Sequence, residues 1–175
     1  MAILEIIQFP HPVLKEKAQP VAGLNPELRR LIEDMIETMY HAPGVGLAAN
    51  QVAAPKSIIV VDVSTEEEPR NTLVIVNPRI VAMSEECGKG EEKCLSVPDY
   101  RAEVERAVKI SVLGKDLKGE VLKLDAEGFL ARVLQHEIDH LNGTLFIDRI
   151  GKLKRQRYVR QRKKALAEEK AESSE

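Results

Sequence analysis

The stretch His136-Glu137-Ile138-Asp139-His140 constrains this chain more than any other five residues. Two imidazoles four residues apart lie on one face of an α-helix and can grip one metal ion, with Glu137 as their neighbour. The flanks predict that helix. Asp125 suits an N-cap, Leu130, Val133, Leu134, Ile138 and Leu141 recur at helical spacing, and Gly143 suits a stop. A histidine pair alone is equally compatible with two hydrogen-bonded rings and no metal. A catalytic site needs a third protein ligand and an open position for water.

The search for that ligand turns to cysteine. The chain has two, Cys87 and Cys94, and its first residues lack the basic start and small-residue cleavage site of a signal peptide. The default location is then the cytoplasm, where free or metal-bound thiols are expected rather than a structural disulfide. Cys94 lies in Glu92-Lys93-Cys94-Leu95-Ser96, between predicted strands and before a turn signal at Pro98. One thiolate and two imidazoles leave a fourth position for water and suit zinc, ferrous iron, cobalt or nickel. The bland alternative for Cys94 is a small buried hydrophobe. Cys87, amid Glu85, Glu86 and Gly88, reads as an incidental loop thiol.

At 175 residues, 43% hydrophobic and 31% charged, the chain reads as one globular domain with no apolar run long enough to span a membrane. The proline-punctuated segment Phe9 to Leu14 reads as an extended arm, with His11 a surface residue. Asn25 caps a helix, Pro26 suits its first turn, and Leu28, Leu31, Ile32, Met35, Ile36 and Met39 form its apolar stripe, which ends before Pro43. The small residues from Gly44 to Asn50, followed by Gln51, let the backbone approach a ligand or a strand closely, but lack the lysine and hydroxyl of a phosphate loop. Strands are expected at 57–63, 73–76, 79–83, 102–105, 108–113 and 121–124, punctuated by Asn77-Pro78, Gly114 and Gly119, with one more at Leu145-Phe146-Ile147. Small antiparallel sheets follow from such short runs. Residues 1–151 are read as a single catalytic domain, with 152–175 a basic helix and frayed tail belonging to the same domain.

The residues suggest a reaction. A metal-bound water with lowered pKa attacks a carbonyl, Glu137 takes its proton and passes it to the leaving nitrogen, and the amide of Gln51 donates to the developing oxyanion. Taken alone, Gln51 reads equally as a structural hydrogen-bonder. Asp139 is either an outer-sphere hydrogen-bond partner of the ligands or a solvent-facing carboxylate.

Three motifs in this order, Gly44-Val45-Gly46-Leu47-Ala48-Ala49-Asn50-Gln51, Glu92-Lys93-Cys94-Leu95-Ser96 and His136-Glu137-Ile138-Asp139-His140, resemble those of the peptide deformylase family over nearly the whole chain. The resemblance implies an α+β fold with antiparallel sheets around the histidine helix, and removal of the formyl group from N-terminal formylmethionine of new polypeptides, releasing formate. It implies Cys94, His136 and His140 as ligands of one divalent ion, usually Fe2+, with Zn2+, Ni2+ or Co2+ able to substitute. Glu137 becomes the general acid/base, Gln51 and the backbone N–H of Leu95 hold the formyl oxygen, and Val45, Gly46 and Leu95 line the docked substrate. The family has glycine where this chain has Lys93. An ordinary strand conformation would accept lysine there with its side chain in solvent near the peptide groove.

Two other readings compete. A zinc endopeptidase shares the helix motif but draws its third ligand from downstream, and no histidine follows His140. A structural-metal or RNA-binding module would want a fourth ligand, from Cys87 or His41, or stacking aromatics, which at 3% with no Trp are scarce. From Lys152 onward nine Lys and Arg face four Glu, so the tail carries 9 − 4 = +5 and the body −2 − 5 = −7. That basic helix is either a solvated face or a contact for ribosomal RNA. A monomer with no membrane or DNA partner is expected.

Overall fold

The computed structural model describes residues 2–174 and has the element order expected of an α+β protein. Helix α1 spans Pro26–His41, α2 Gly128–Leu141 and α3 Lys152–Glu172. Strands β1 (Gly46–Ala48), β2 (Ile58–Val61), β3 (Leu73–Met83), β6 (Lys109–Lys115) and β7 (Val121–Glu127) form one antiparallel sheet in the order β1-β2-β3-β6-β7. Strands β4 (Cys87–Cys94) and β5 (Val97–Ala107) pair only with each other, as a separate hairpin.

The reason β2 reads as the unbroken apolar run Ile58-Ile59-Val60-Val61 is that both its faces are covered. Ile59 and Val61 pack toward α2 with Ile75, Val112, Leu134 and Ile138, whereas Ile58 and Val60 pack toward α1 with Ile32, Met35 and Met39. Full burial of a side chain such as Met35 contributes about 2 kcal/mol. Asn25 caps α1 as its residue type requires, its side chain accepting from the N–H of Leu28 at 2.8 Å. A third apolar cluster joins Phe9, Leu14, Val97, Val104, Phe146 and Tyr158, so the arm, the hairpin and α3 share one core.

Several expectations need correction. Asp125 lies in β7, and the residue before α2 is Glu127, because the strand's pairing with β6 runs on to Lys109–Glu127. The end is as expected: α2 stops at Leu141, and Gly143 adopts φ +72, a left-handed conformation natural to glycine. Asn77-Pro78 does not separate two strands. It forms an irregularity within β3, where Asn77 (φ 52) exchanges side-chain hydrogen bonds of 2.8 Å with the backbone of Val21. Residues 146–148 form a short 3-10 turn rather than a strand, with the Asp148 carboxylate accepting from the N–H of Leu145. In α3 the sequence offers Leu153, Tyr158, Val159 and Leu166 as sparse apolar contacts; Tyr158 is buried as expected, whereas Leu153 is 80% exposed. Arg162, also buried, adds the anchor not expected and donates to Phe9 O at 3.0 Å and Gln8 Oε1 at 2.9 Å. Among the described residues no helix is long and apolar enough to cross a membrane.

Candidate metal centre

Helix α2 carries His136 and His140 on the side away from its Leu134–Ile138 stripe, facing Cys94, Glu92 and Phe146, and both are buried. Their rings meet edge-on with centroids 5.0 Å apart, as the i, i+4 spacing dictates. Cys94 arrives from the hairpin, at the end of β4 where the chain turns through Leu95 and Ser96 into β5. Its Sγ lies 3.2 Å from His140 Nε2, and the donor atoms of Cys94, His136 and His140 all fall within 4.8 Å of one another. Cys87 is exposed, and neither it nor His41 belongs to this group.

Each ring has a second nitrogen to satisfy. His136 Nδ1 lies 2.8 Å from Glu92 Oε1, which fixes the ring and leaves Nε2 for the cluster. His140 Nδ1 is buried without a hydrogen-bond partner. Burial disfavours the charged form of both rings. In His136 the contacts with Cys94 and Glu92 outweigh that cost and hold its pKa well above the usual value, whereas His140, facing the charges of His136 and Arg106, is held well below it.

Glu137 shares the centre. Burial pushes its carboxyl up to about 7, against the pull of the positive His136, and its Oε2 is buried with no partner. Gln51, in the short 3-10 turn after β1, accepts from the N–H of Ala48 at 2.9 Å. Its Nε2 points at Ser96 Oγ (3.1 Å) and Cys94 Sγ (3.6 Å), so the amide's donors face the cluster. A cavity of about 890 Å³ opens onto these groups, walled by Gly44, Val45 and Gly46 on one side and by Lys93, Cys94 and Leu95 on the other. The expected residues Val45, Gly46, Gln51, Cys94, Leu95, His136 and Glu137 thus border one groove, with His140 behind Cys94. Lys93 sits in regular β4 opposite Arg101, exposed at the rim, as an ordinary strand residue would.

Asp139 is not the solvent-facing carboxylate of its second reading, yet it bonds none of the three donors directly and reaches His136 only through Arg106 and Glu92. It is buried and accepts from Arg106 at 2.6 Å and from Arg149 at 2.5 and 2.7 Å. Sequence reasoning missed the groups around it. Burial raises the carboxyl of Glu92, but two hydrogen bonds from Arg106 and one from His136 Nδ1 bring it down to about 2. Arg106 is itself buried between Glu92 and Asp139. The only textual signal was a charged residue on the inward side of a strand, which is costly unless paired.

A cysteine and two histidines whose donor atoms could hold one ion, beside a buried carboxylate at the floor of an open groove, are the kind of donor set and setting that a single-metal hydrolase uses. The family described as polypeptide deformylase matches residues 3–156. The peptide deformylase of Rhizobium meliloti is 52% identical over 165 residues, covering 94% of this chain and 95% of that one, and that of Bartonella quintana is 44% identical over 99% of both. The crystal structure of peptide deformylase from Ehrlichia chaffeensis in complex with actinonin superposes with a TM-score of 0.89 at 40% identity, covering 94% of this chain and 98% of that one. The Met-Ala-Ser-bound enzyme of Acinetobacter baumannii superposes at 0.81 with 41% identity, covering 85% and 99%. The chain belongs to the polypeptide deformylase family, metal-dependent hydrolases that remove the formyl group from the N-terminal methionine of polypeptides.

Proposed function

We propose that Cys94, His136 and His140 bind one divalent ion, Fe2+ in the working enzyme with Zn2+, Ni2+ or Co2+ able to replace it, and that Glu137 is the general acid/base of deformylation. The observation that carries this reading is the convergence of one sulfur and two imidazole donors within 4.8 Å beside a buried, unpartnered Glu137 oxygen. When bound, the ion supplies a low-pKa water and polarises the formyl carbonyl.

The chain's own residues do the rest. A carboxyl held near 7 can take a proton from the attacking water at neutral pH and return it to the amine nitrogen as the C–N bond breaks, giving formate and a free methionine amine. Gln51 Nε2 and the N–H of Leu95 donate to the oxygen that becomes negative, a term typically worth 10²-fold or more per donor. Gly46 and Val45 on one wall and Leu95 on the other hold the peptide main chain, a reading supported by the Acinetobacter relative's being a Met-Ala-Ser-bound structure. Residues 1–151 form the catalytic domain in this reading, and 152–175 belong to it through Tyr158 and Arg162.

Formate release from formyl-Met-Ala-Ser by protein loaded anaerobically with Fe2+ tests the proposal, together with metal analysis of Cys94→Ser. One ion per wild-type chain, rapid formate release, and loss of both in the variant are expected. Cleavage of an internal peptide bond with the formyl group untouched would instead identify an endopeptidase.

For the partner, the exposed cations Lys154, Arg157, Arg160, Lys163 and Lys164 on α3 support a contact with ribosomal RNA near emerging chains in the cytoplasm, the enzyme acting as a monomer. Because Tyr158 and Arg162 are buried in the body, charge reversal at Lys154, Arg157 and Arg160 is a cleaner test than deleting the helix. Unchanged, salt-dependent ribosome binding by that variant would remove the idea.

A further inference from the structure

The three metal donors come from two elements that share no strand pairing: the histidines ride on α2, and Cys94 on the β4–β5 hairpin. Something must hold that hairpin at a fixed distance from the helix, since a donor misplaced by an ångström is a poor ligand. Arg132, one turn before His136 on α2, reaches across the gap. Its Nη1 donates to Glu92 Oε2 at 2.9 Å and to Val104 O at 2.8 Å, and its Nη2 to Gly88 O at 2.8 Å. With a longer bond to Gly90 O at 3.5 Å, one planar guanidinium thus binds β4 at three points and β5 at a fourth, and Glu92 in turn holds His136 Nδ1 at 2.8 Å.

The hairpin is shaped for this visitor. A Cβ added at Gly90 would stand 2.9 Å from both Cζ and Nε of Arg132, so the missing side chain is the seat of the guanidinium. The guanidinium needs the missing side chain at Gly90 alone: Gly88 meets it only through its backbone carbonyl, and a Cβ there would stand 3.3 Å from Val108 instead.

We infer that Arg132 is a positioning residue for the metal centre: it clasps the hairpin to α2 and so sets Cys94 against the histidine pair. The inference rests on the donor set proposed above. Losing such an outer-sphere partner costs metal sites about 10- to 100-fold in affinity.

Cobalt(II) titration of the full chain provides the test, because the thiolate-to-cobalt absorption band reports Cys94 directly and apart from turnover. Wild type should take one cobalt with a strong band. Arg132→Met should bind 10- to 100-fold more weakly with a diminished band, while its far-ultraviolet circular dichroism matches wild type. Gly90→Ala keeps every charge and only unseats the guanidinium, so it should shift affinity in the same direction by a smaller factor and serves if Arg132→Met does not fold. Wild-type affinity and band in either folded variant would overturn the clasp and leave the donor set standing. A wild-type chain with no thiolate band would overturn the donor set itself.

Discussion

Gly46 lies so close to Glu137 that a Cβ on the glycine would stand 2.5 Å from the carboxylate's Oε1. The two meet because β1 is the sheet edge over which α2 packs, which brings the wall of the substrate groove against the acid/base. The glycine is therefore required for space, not for backbone conformation. Gly46→Ala should push the Glu137 carboxylate off its position while the fold survives. A displacement of about an ångström at a catalytic group costs on the order of 10²-fold in kcat/KM. Formate-release kinetics on Gly46→Ala check this, and wild-type turnover would show that Glu137 has room to spare.

Replacing the carboxylate by its isosteric amide separates chemistry from architecture. Glu137→Gln removes the proton carrier and leaves Cys94, His136 and His140 intact, so the variant should retain one metal per chain and lose about 10²- to 10⁴-fold in kcat. Stripped of metal, it should also gain stability, since a carboxyl pushed up to about 7 by burial is costly to ionise at higher pH. Metal analysis, kcat and a melting curve at pH 8 make the comparison. Full activity would remove Glu137 from the proton path.

How much of this was legible follows from what each signal depends on. The ligand helix could be read because periodicity, spacing and the Gly143 stop are local. Its start was missed by two residues because pairing of β7 with β6 overrode the capping preference of Asp125. Strand β4, Cys87-Gly-Lys-Gly-Glu-Glu-Lys-Cys94, carries almost no strand propensity, and its form depends on β5 and on the arginines of other elements. Glu92, Arg106 and Arg132 were invisible for the same reason, since a charge reads as surface until its buried partner is known.

Asp62 gives the stability of the fold a pH dependence. Burial raises its carboxyl, but the hydroxyls of Ser64 and Tyr40 and the N–H groups of Ser64 and Asn71 outweigh that and bring it down to about 2 from the ordinary 3.8. A folded pKa below the unfolded one means the contribution is complete above pH 3.8 and is lost as pH falls toward 2. The cluster also ties the loop after β2 to the groove, because the N–H of Asp62 donates to Val45 O at 3.0 Å. Asp62→Asn should lower stability by about 1–2 kcal/mol at pH 7 and flatten its acid limb. Urea titrations at pH 3 and pH 7 measure both, and parallel wild-type and variant curves would remove Asp62 as the source.

Arg162 couples the far end of the chain to the catalytic loop. It donates to Phe9 O and Gln8 Oε1, and the arm it pins is bonded in turn to the catalytic segments: Ile7 N–H donates to Gln51 O at 2.7 Å and Phe9 N–H to Ser96 O at 2.8 Å. Arg162→Met keeps most of the aliphatic packing and removes the donors, leaving a buried carbonyl without its partner, a change that costs about 1–3 kcal/mol. For a chain of this size that is a fall in Tm of roughly 2–12 °C. Turnover well below the melting range should stay within the same order of magnitude, since Gln51 keeps its bond to Ala48. An unchanged Tm would mean that water replaces the guanidinium at no cost, whereas a large loss of kcat at low temperature would place the arm in control of Gln51.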